Sequence, residues 1–306
     1  MLQSEFNTPI LFLIFNRPDT TEKVFEKIKL VKPKKLYVSA DGARENKIGE
    51  KGKCKAARNI VNNIDWDCEV KTFYREKNFG CKLAVSSGID WFFENEEEGI
   101  ILEDDVIPNL SFFYFVQELL KKYRNNEKVM HIGGNNFQKG IVRGEHSYYF
   151  SNYCHIWGWG SWRRAWKKYD LKMKEYEIFI SSEIFERIIQ SKNEKKYWLK
   201  KLFVAKNNLI DTWDYQWLYS IWLNEGIAIT PNYNLTTNIG FSMEGTHTDY
   251  GVSHLANLTL QEIKSITHPT KIEIQREADL FTFNNVYKPP FRIRAYQKIM
   301  KSFFKK

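Results

Sequence analysis

Three carboxylates in a row, Glu103, Asp104 and Asp105, follow the apolar run Ile100, Ile101 and Leu102. That pattern reads as a buried parallel strand ending on an acidic turn. Adjacent carboxylates repel one another and cost stability unless a positive group sits with them. Hard oxygen ligands suit Mn²⁺ or Mg²⁺, and an ion that keeps part of its water takes one or two carboxylates together with substrate phosphates. The carboxyl end of a strand is also where open α/β sheets bind ligands. A solvated acidic turn is the plainer alternative, since short motifs of this kind are common.

Six more positions carry candidate chemistry. Arg17 follows an apolar run at residues 9–15, where a cation can meet a phosphate; a surface arginine is the alternative. Asp41 ends residues 34–40, at the place where nucleotide-binding sheets put an acid for ribose or base; an Asp-Gly turn explains it equally well. Lys82 lies near a helix start after Gly80, where amides and an ammonium favour a diphosphate, or it is simply a solvated lysine. Asp214 sits between Trp213 and Trp217, and a carboxylate desolvated among indoles becomes a better proton acceptor near neutrality. Asp211 is the better helix cap of the two, though it also competes for the base role. His247, in a Gly-containing loop, offers a metal or phosphate ligand, although a lone loop histidine is more often neither.

The elements that must position these residues alternate. Strands are expected at residues 9–15, 34–40, 69–74 and 100–102, with helices from Asp19 or Thr20 to about Val31, over 55–64 and over 81–93. This is the signature of a parallel α/β sheet. Residues 43–53 read as a charged, mobile loop. A helix starts near Ser111, short strands follow at 129–132 and 148–153, and residues 158–166 start loose and turn helical. Residues 172–206 and 211–224 are mostly helical, with a short strand at 228–230.

The chain has 306 residues, a hydrophobic fraction of 43% and a charged fraction of 27%, ordinary for a soluble globular protein. Most of its ten tryptophans fall between Trp157 and Trp222, which suggests a region that stacks on sugars or a Trp-rich core. Cys54, Cys68, Cys81 and Cys154 have no metal-type spacing. The first residues lack a signal-peptide pattern, and no segment approaches the ~20 apolar residues of a membrane span, so a cytoplasmic location is expected.

In chain order, these residues resemble a GT-A fold glycosyltransferase, the Rossmann-like nucleotide-diphospho-sugar transferase fold. They are most similar to the N-acetylglucosaminyltransferase I type, glycosyltransferase family 13, within a bacterial group of family 2-like sugar transferases. The resemblance runs over residues 8–250. Its most specific part is LEDDVIPNLSFFYF; Asn16-Arg17, the segment ending in Asp41, Gly158-Trp159, Trp213-Asp214 and Gly245-Thr246-His247 accompany it. It implies an α/β fold with a mostly parallel central sheet and a helical, Trp-rich acceptor-side region. Residues 1–135 would be the nucleotide-sugar-binding half, 136–255 the acceptor-side and catalytic-base half of the same domain, and 256–306 a C-terminal extension. Asp105 would bind Mn²⁺ (or Mg²⁺), with His247 a second candidate ligand. Glu103 and Asp104 would contact sugar and ribose, Asp41 the base, Arg17 or Lys82 the diphosphate, and Asp214 would be the catalytic base. Trp159 and Trp213 would face the acceptor. The reaction implied is inverting transfer from a nucleotide-sugar, a UDP-sugar first, to a hydroxyl of a surface-glycan or lipid-linked glycan precursor.

Residues 288–306 carry seven basic and no acidic side chains, and residues 291–306 read as an amphipathic helix suited to an anionic membrane surface. Packing back on the domain is the alternative. Nucleic-acid binding is not expected, since the charge is terminal and no nucleic-acid motif accompanies it. Nucleotidyl transfer on a similar sheet, and a non-catalytic carbohydrate-binding or membrane-active protein, are the competing functions.

Overall fold

The computed structural model describes residues 5–240, 255 and 257–288. Its first half alternates β1 (Ile10–Ile14), α1 (Pro18–Val31), β2 (Lys35–Ala40), α2 (Glu50–Asn59), β3 (Glu69–Tyr74), α3 (Gly80–Asn95) and β4 (Glu98–Glu103). The short strand β5 (Val106–Pro108), α4 (Leu110–Tyr123) and β6 (Val129–Gly133) follow. The second half holds β7 (Tyr148–Ser151), β8 (Trp159–Trp162) and the helices α5 (Arg163–Trp166), α6 (Tyr176–Ile180), α7 (Glu183–Ile188), α8 (Lys192–Lys206) and α9 (Asp214–Leu223). The strands β9 (Ile227–Pro231) and β10 (Thr236–Asn238) and the helix α10 (Arg276–Thr282) complete it.

Eight strands form one sheet in the order β3-β2-β1-β4-β8-β6-β9-β7, and β5 pairs with β10 in a separate ribbon. The first four strands are parallel, as the alternating pattern predicts. Strand β8 runs antiparallel between β4 and β6, and β7 runs antiparallel to β9. Every position of β1 is apolar because helices cover both faces of the sheet. Phe12 packs with Val38, Leu102 and Phe112 on one side. Leu11 and Leu13 pack with Ile89, Phe92 and Trp159 on the other. Among the described residues no helix is long and apolar enough to cross a membrane.

Three local expectations are corrected. Residues 159–162 are not loose: they form β8, in the middle of the sheet. Trp159 and Trp162 enter opposite faces, and Gly160 lets Val116 of α4 come so close that a Cβ there would lie 2.3 Å from it. Pairing on both edges overrides the poor strand propensity of a glycine-containing run. Helix α1 starts at Pro18, whose fixed φ suits the first helical position, so Arg17 is the N-cap residue and neither Asp19 nor Thr20 caps it. The charged loop is shorter than expected, because α2 begins at Glu50, which is buried and binds Arg44 and Asn16.

The tryptophans are core: Trp159, Trp162, Trp198, Trp213, Trp217 and Trp222 are all but fully buried. The segment from Ile274 onward folds back on the second half. Ile274 bridges Phe150 in β7, and Asp279 accepts the Ser151 hydroxyl at 2.5 Å. The basic residues 289–306 lie outside the described part.

Under the second half, His131 stacks on Trp159 with ring centroids 5.0 Å apart. Its Nε2 donates to the His155 carbonyl at 3.0 Å, which leaves Nδ1 to accept from the Trp217 indole at 3.3 Å. Burial holds His131 down to about 3. The unfolded chain takes up a proton below about pH 6.5 that this folded imidazole refuses, so the contribution of His131 to stability falls as pH drops. From pH 7 to pH 5 the wild type should lose about 2 kcal/mol relative to His131→Phe, read by urea denaturation. An unchanged difference between the two proteins would show that His131 accepts the proton in place.

Candidate active site

A cavity of about 480 Å³ opens where β1, β2 and β4 end. Arg17, Asp41, Glu103, Asp104, Asp105, Trp213 and Asp214 line it. Trp159 and Lys82 do not, and His247 lies outside the described residues.

The acidic end of β4 is held by its neighbours. Asp104 Oδ2 accepts the Phe15 amide at 2.9 Å, which ties β4 to the end of β1. The Arg17 guanidinium, sent out from the start of α1, meets Asp105 Oδ2 at 2.6 Å. From the other side Asn238 Nδ2 approaches Asp105 Oδ1 at 3.3 Å, and the Ile239 amide donates to the Asp105 carbonyl at 2.8 Å. The β5–β10 ribbon brings these two residues across, since Asn238 pairs with Val106. Gly240 completes the cradle: a Cβ there would stand 2.0 Å from Asp105 Oδ2 and 2.9 Å from Arg17.

No described residue hydrogen-bonds the Glu103 carboxylate. Burial first, then the charges of Asp105, Asp104 and Asp214, raise its pKa well above the ordinary range. Burial and Asp105 push Asp104 up to about 7. Burial opposes the charge on Arg17, but Asp104 and Asp105 outweigh it and raise the guanidinium pKa. One arginine against three carboxylates leaves the cluster short of positive charge. Among the described residues no group of three His, Cys, Asp or Glu side chains can surround a metal ion. An ion caged by protein alone is therefore not provided for among these residues, and Asp105 is the carboxylate that could share one with other ligands.

Asp41 lines the cavity, but its oxygens are already engaged. They accept the amides of Gly42, Phe79 and Gly80 and the Asn78 side chain, at 2.9–3.1 Å. Gly42 is needed beside it because a Cβ would lie 2.4 Å from the Lys77 carbonyl carbon. The next two amides of α3, on Cys81 and Lys82, donate to Asp211 at 2.8 and 3.0 Å. Two carboxylates thus occupy the helix start that the sequence offers to a diphosphate. Lys82 turns away, donating to Asn208 at 2.5 Å. Asp211 does not cap its own helix; it caps α3, 130 residues earlier.

Asp214 begins α9 and lines the cavity in the neighbourhood of Glu103. The Thr212 hydroxyl donates to its Oδ1, and no described residue donates to Oδ2. Trp213 carries it and forms part of the wall. Trp159 lies behind as a buried slab, stacked on Trp213 at 5.7 Å and an interplanar angle of 22°. The Gly-Trp segment thus supports the site from within the core, with Trp159 buried and off the cavity lining.

Sequence reasoning missed Arg44, which lines the cavity and is held by Glu50. It also missed Asn238 and Gly240, whose neighbour Asp105 is 133 positions from Asn238. The buried acid pairing with Arg44 gave no signal within a highly charged stretch.

No family model matches this sequence, and no curated protein matches it. Among solved structures, the chain is similar to mouse xyloside xylosyltransferase 1 in its apo form, with 9% identity, a TM-score of 0.33, and 70% of this chain and 81% of that one covered. Similarity is also found to HddC from Yersinia pseudotuberculosis, with 6% identity and a TM-score of 0.32, over 51% of this chain and 77% of that one. A third is a 4-diphosphocytidyl-2C-methyl-D-erythritol synthase from Anaerococcus prevotii, with 10% identity and a TM-score of 0.32, over 57% and 78%. Likeness this loose carries no argument about what the chain does.

The role of Asp211 separates capping from proton transfer. Asp211→Asn keeps one of the two acceptors for the α3 amides and should lose less stability than Asp211→Ala, which should cost about 1 kcal/mol. Equal losses in the two variants, measured by chemical denaturation, would rule out the capping role.

Proposed function

We propose that this chain is a metal-dependent glycosyltransferase of the GT-A type that moves a sugar from a nucleotide-sugar, a UDP-sugar first, to an acceptor hydroxyl with inversion. The observation that carries this reading is one cavity with an acidic strand end and Arg17 on one wall and Asp214 on another. Binding a nucleotide diphosphate there needs positive charge, and the cluster itself lacks it.

Asp105 would hold the ion, with Arg17 released toward the diphosphate as the ion takes over its partner. A bound Mn²⁺ or Mg²⁺ supplies charge that stabilises the leaving diphosphate. Glu103 and Asp104 are the nearest acceptors for sugar and ribose hydroxyls. Arg44 adds a second cation to the same cavity. Asp41 can contact a base only at the rim of its existing hydrogen bonds. Asp214 takes the proton of the acceptor hydroxyl through its unengaged Oδ2. The hydroxyl oxygen then bonds to the anomeric carbon, and the bond to the diphosphate breaks with its electron pair leaving on the phosphate oxygen. Asp214 is preferred to Asp211 for this role because both Asp211 oxygens accept amides of α3. Trp213 fixes the base and forms wall; Trp159 backs it. A surface-glycan precursor as acceptor, a membrane contact through residues 291–306 and a metal or diphosphate role for His247 belong to this proposal as expectations on residues outside the described part.

The test is thermal stabilisation by UDP-GlcNAc, UDP-Glc, UDP-Gal, GDP-Man and UDP, each with Mn²⁺ and with EDTA. At a concentration 100 times Kd the expected gain is about 2.7 kcal/mol. One donor should stabilise with Mn²⁺ only, and Asp105→Ala should abolish the effect. Asp214→Asn should keep donor stabilisation while UDP release from that donor falls by about 10²–10⁴-fold. No stabilisation by any donor, or stabilisation untouched by Asp105→Ala, would overturn the assignment. Pyrophosphate release from a nucleoside triphosphate would mark nucleotidyl transfer instead.

A further inference from the structure

A second cavity, of about 190 Å³, adjoins the first and shares Ile156, Trp157 and Asp214 with it. A cavity of roughly 150 Å³ is enough for a benzene ring, so this one has room for a single six-membered ring. Its walls are aromatic. Trp198 and Tyr287 meet with centroids 4.9 Å apart, and Phe137 packs on Trp157 at 5.2 Å. Flat aromatic walls suit the C–H faces of a sugar ring, whose hydroxyls then need polar partners at the edge.

Those partners are present. Asn135 lines the cavity and is 0% exposed, and both its Oδ1 and Nδ2 are without a hydrogen-bond partner. A buried carboxamide left unpaired costs about 1–3 kcal/mol for each group, so its retention needs a reason. It follows β6, which runs in the same direction as β4, and so stands on the same edge of the sheet as the acidic cluster. The His155 ring lines the cavity as well, and burial pushes it down to about 4, so it is neutral at pH 7 and offers one donor and one acceptor.

We infer that this cavity is the acceptor subsite, and that it takes one pyranose ring whose adjacent hydroxyls pair with the Asn135 carboxamide while a further hydroxyl points to Asp214. One amide offers a donor and an acceptor side by side, which matches two neighbouring hydroxyls, one accepting and one donating. This inference rests on the glycosyltransferase reading for the role of Asp214, but not for the binding of the ring. Asn135 is a specificity-determining residue here, with no part in proton transfer.

The test is saturation-transfer NMR on the full chain with methyl pyranosides of gluco, galacto, manno and N-acetylgluco configuration, with benzyl alcohol as the apolar control. One pyranoside should bind. Asn135→Leu, close in size but without the amide, should weaken it at least tenfold and leave nucleotide-dependent thermal stabilisation unchanged. Val286→Trp, which fills the cavity from a partly exposed wall, should block the same pyranoside without touching the first cavity. Pyranoside binding unaffected by both variants, or binding of benzyl alcohol but no pyranoside, overturns the inference. Nucleotide stabilisation with no pyranoside bound overturns it and leaves the proposed function standing. Asn135-dependent pyranoside binding in a protein that no nucleotide stabilises supports the subsite and overturns the donor reading.

Discussion

Keeping Glu103, Asp104 and Asp105 together at the end of a buried strand is costly, and much of the site answers that cost. Arg17 reaches Asp105, the Phe15 amide reaches Asp104, and Asn238 closes on Asp105 from a ribbon formed far along the chain. Glu103 receives no such partner from the described residues, and burial together with the charges of Asp105, Asp104 and Asp214 raises its pKa. A fold selected for stability alone would replace such a cluster, because unpaired buried charge is among the most destabilising features a protein can hold. Its presence beside a large cavity is therefore a functional signal of the kind perturbed titratable groups provide.

The architecture converts this strand end into a site by bringing the second half to it. Strand β8 enters next to β4, and the helices that follow cover the face opposite α4. Trp213 stacks on Trp159, and Trp159 stacks on His131, so the turn that carries Asp214 rests on a column of flat, rigid groups. Asp211 fastens the same turn to the start of α3. The distance between Asp214 and the acidic cluster is thus set from two sides, by packing beneath and by hydrogen bonding alongside. Rigid placement of this sort is what positions a reacting hydroxyl and a base for attack.

The two cavities divide the chemistry. The larger one is rich in charge and lies at the strand ends of the parallel half; the smaller is aromatic, with one unpaired amide. They meet at Asp214, whose carboxylate stands on the wall between the larger, charged space and the smaller, ring-sized one.

The alternating order of strands and helices was legible in the sequence because both periodicities are local. The acidic strand end, the arginine after β1, the aspartate after β2 and the aspartate among tryptophans were legible too, since each follows a strand or begins a helix whose pattern is plain. Other features were decided only by the tertiary structure. Residues 159–162 become a strand because two neighbours pair with them, Trp159 becomes core because it lies between His131 and Trp213, and Asp211 caps a helix 130 residues away. Asn238 and Asn135 join the cavities for the same reason. Their neighbours are distant in sequence, and hydrogen bonds and packing between distant segments leave no period for a local pattern to reveal.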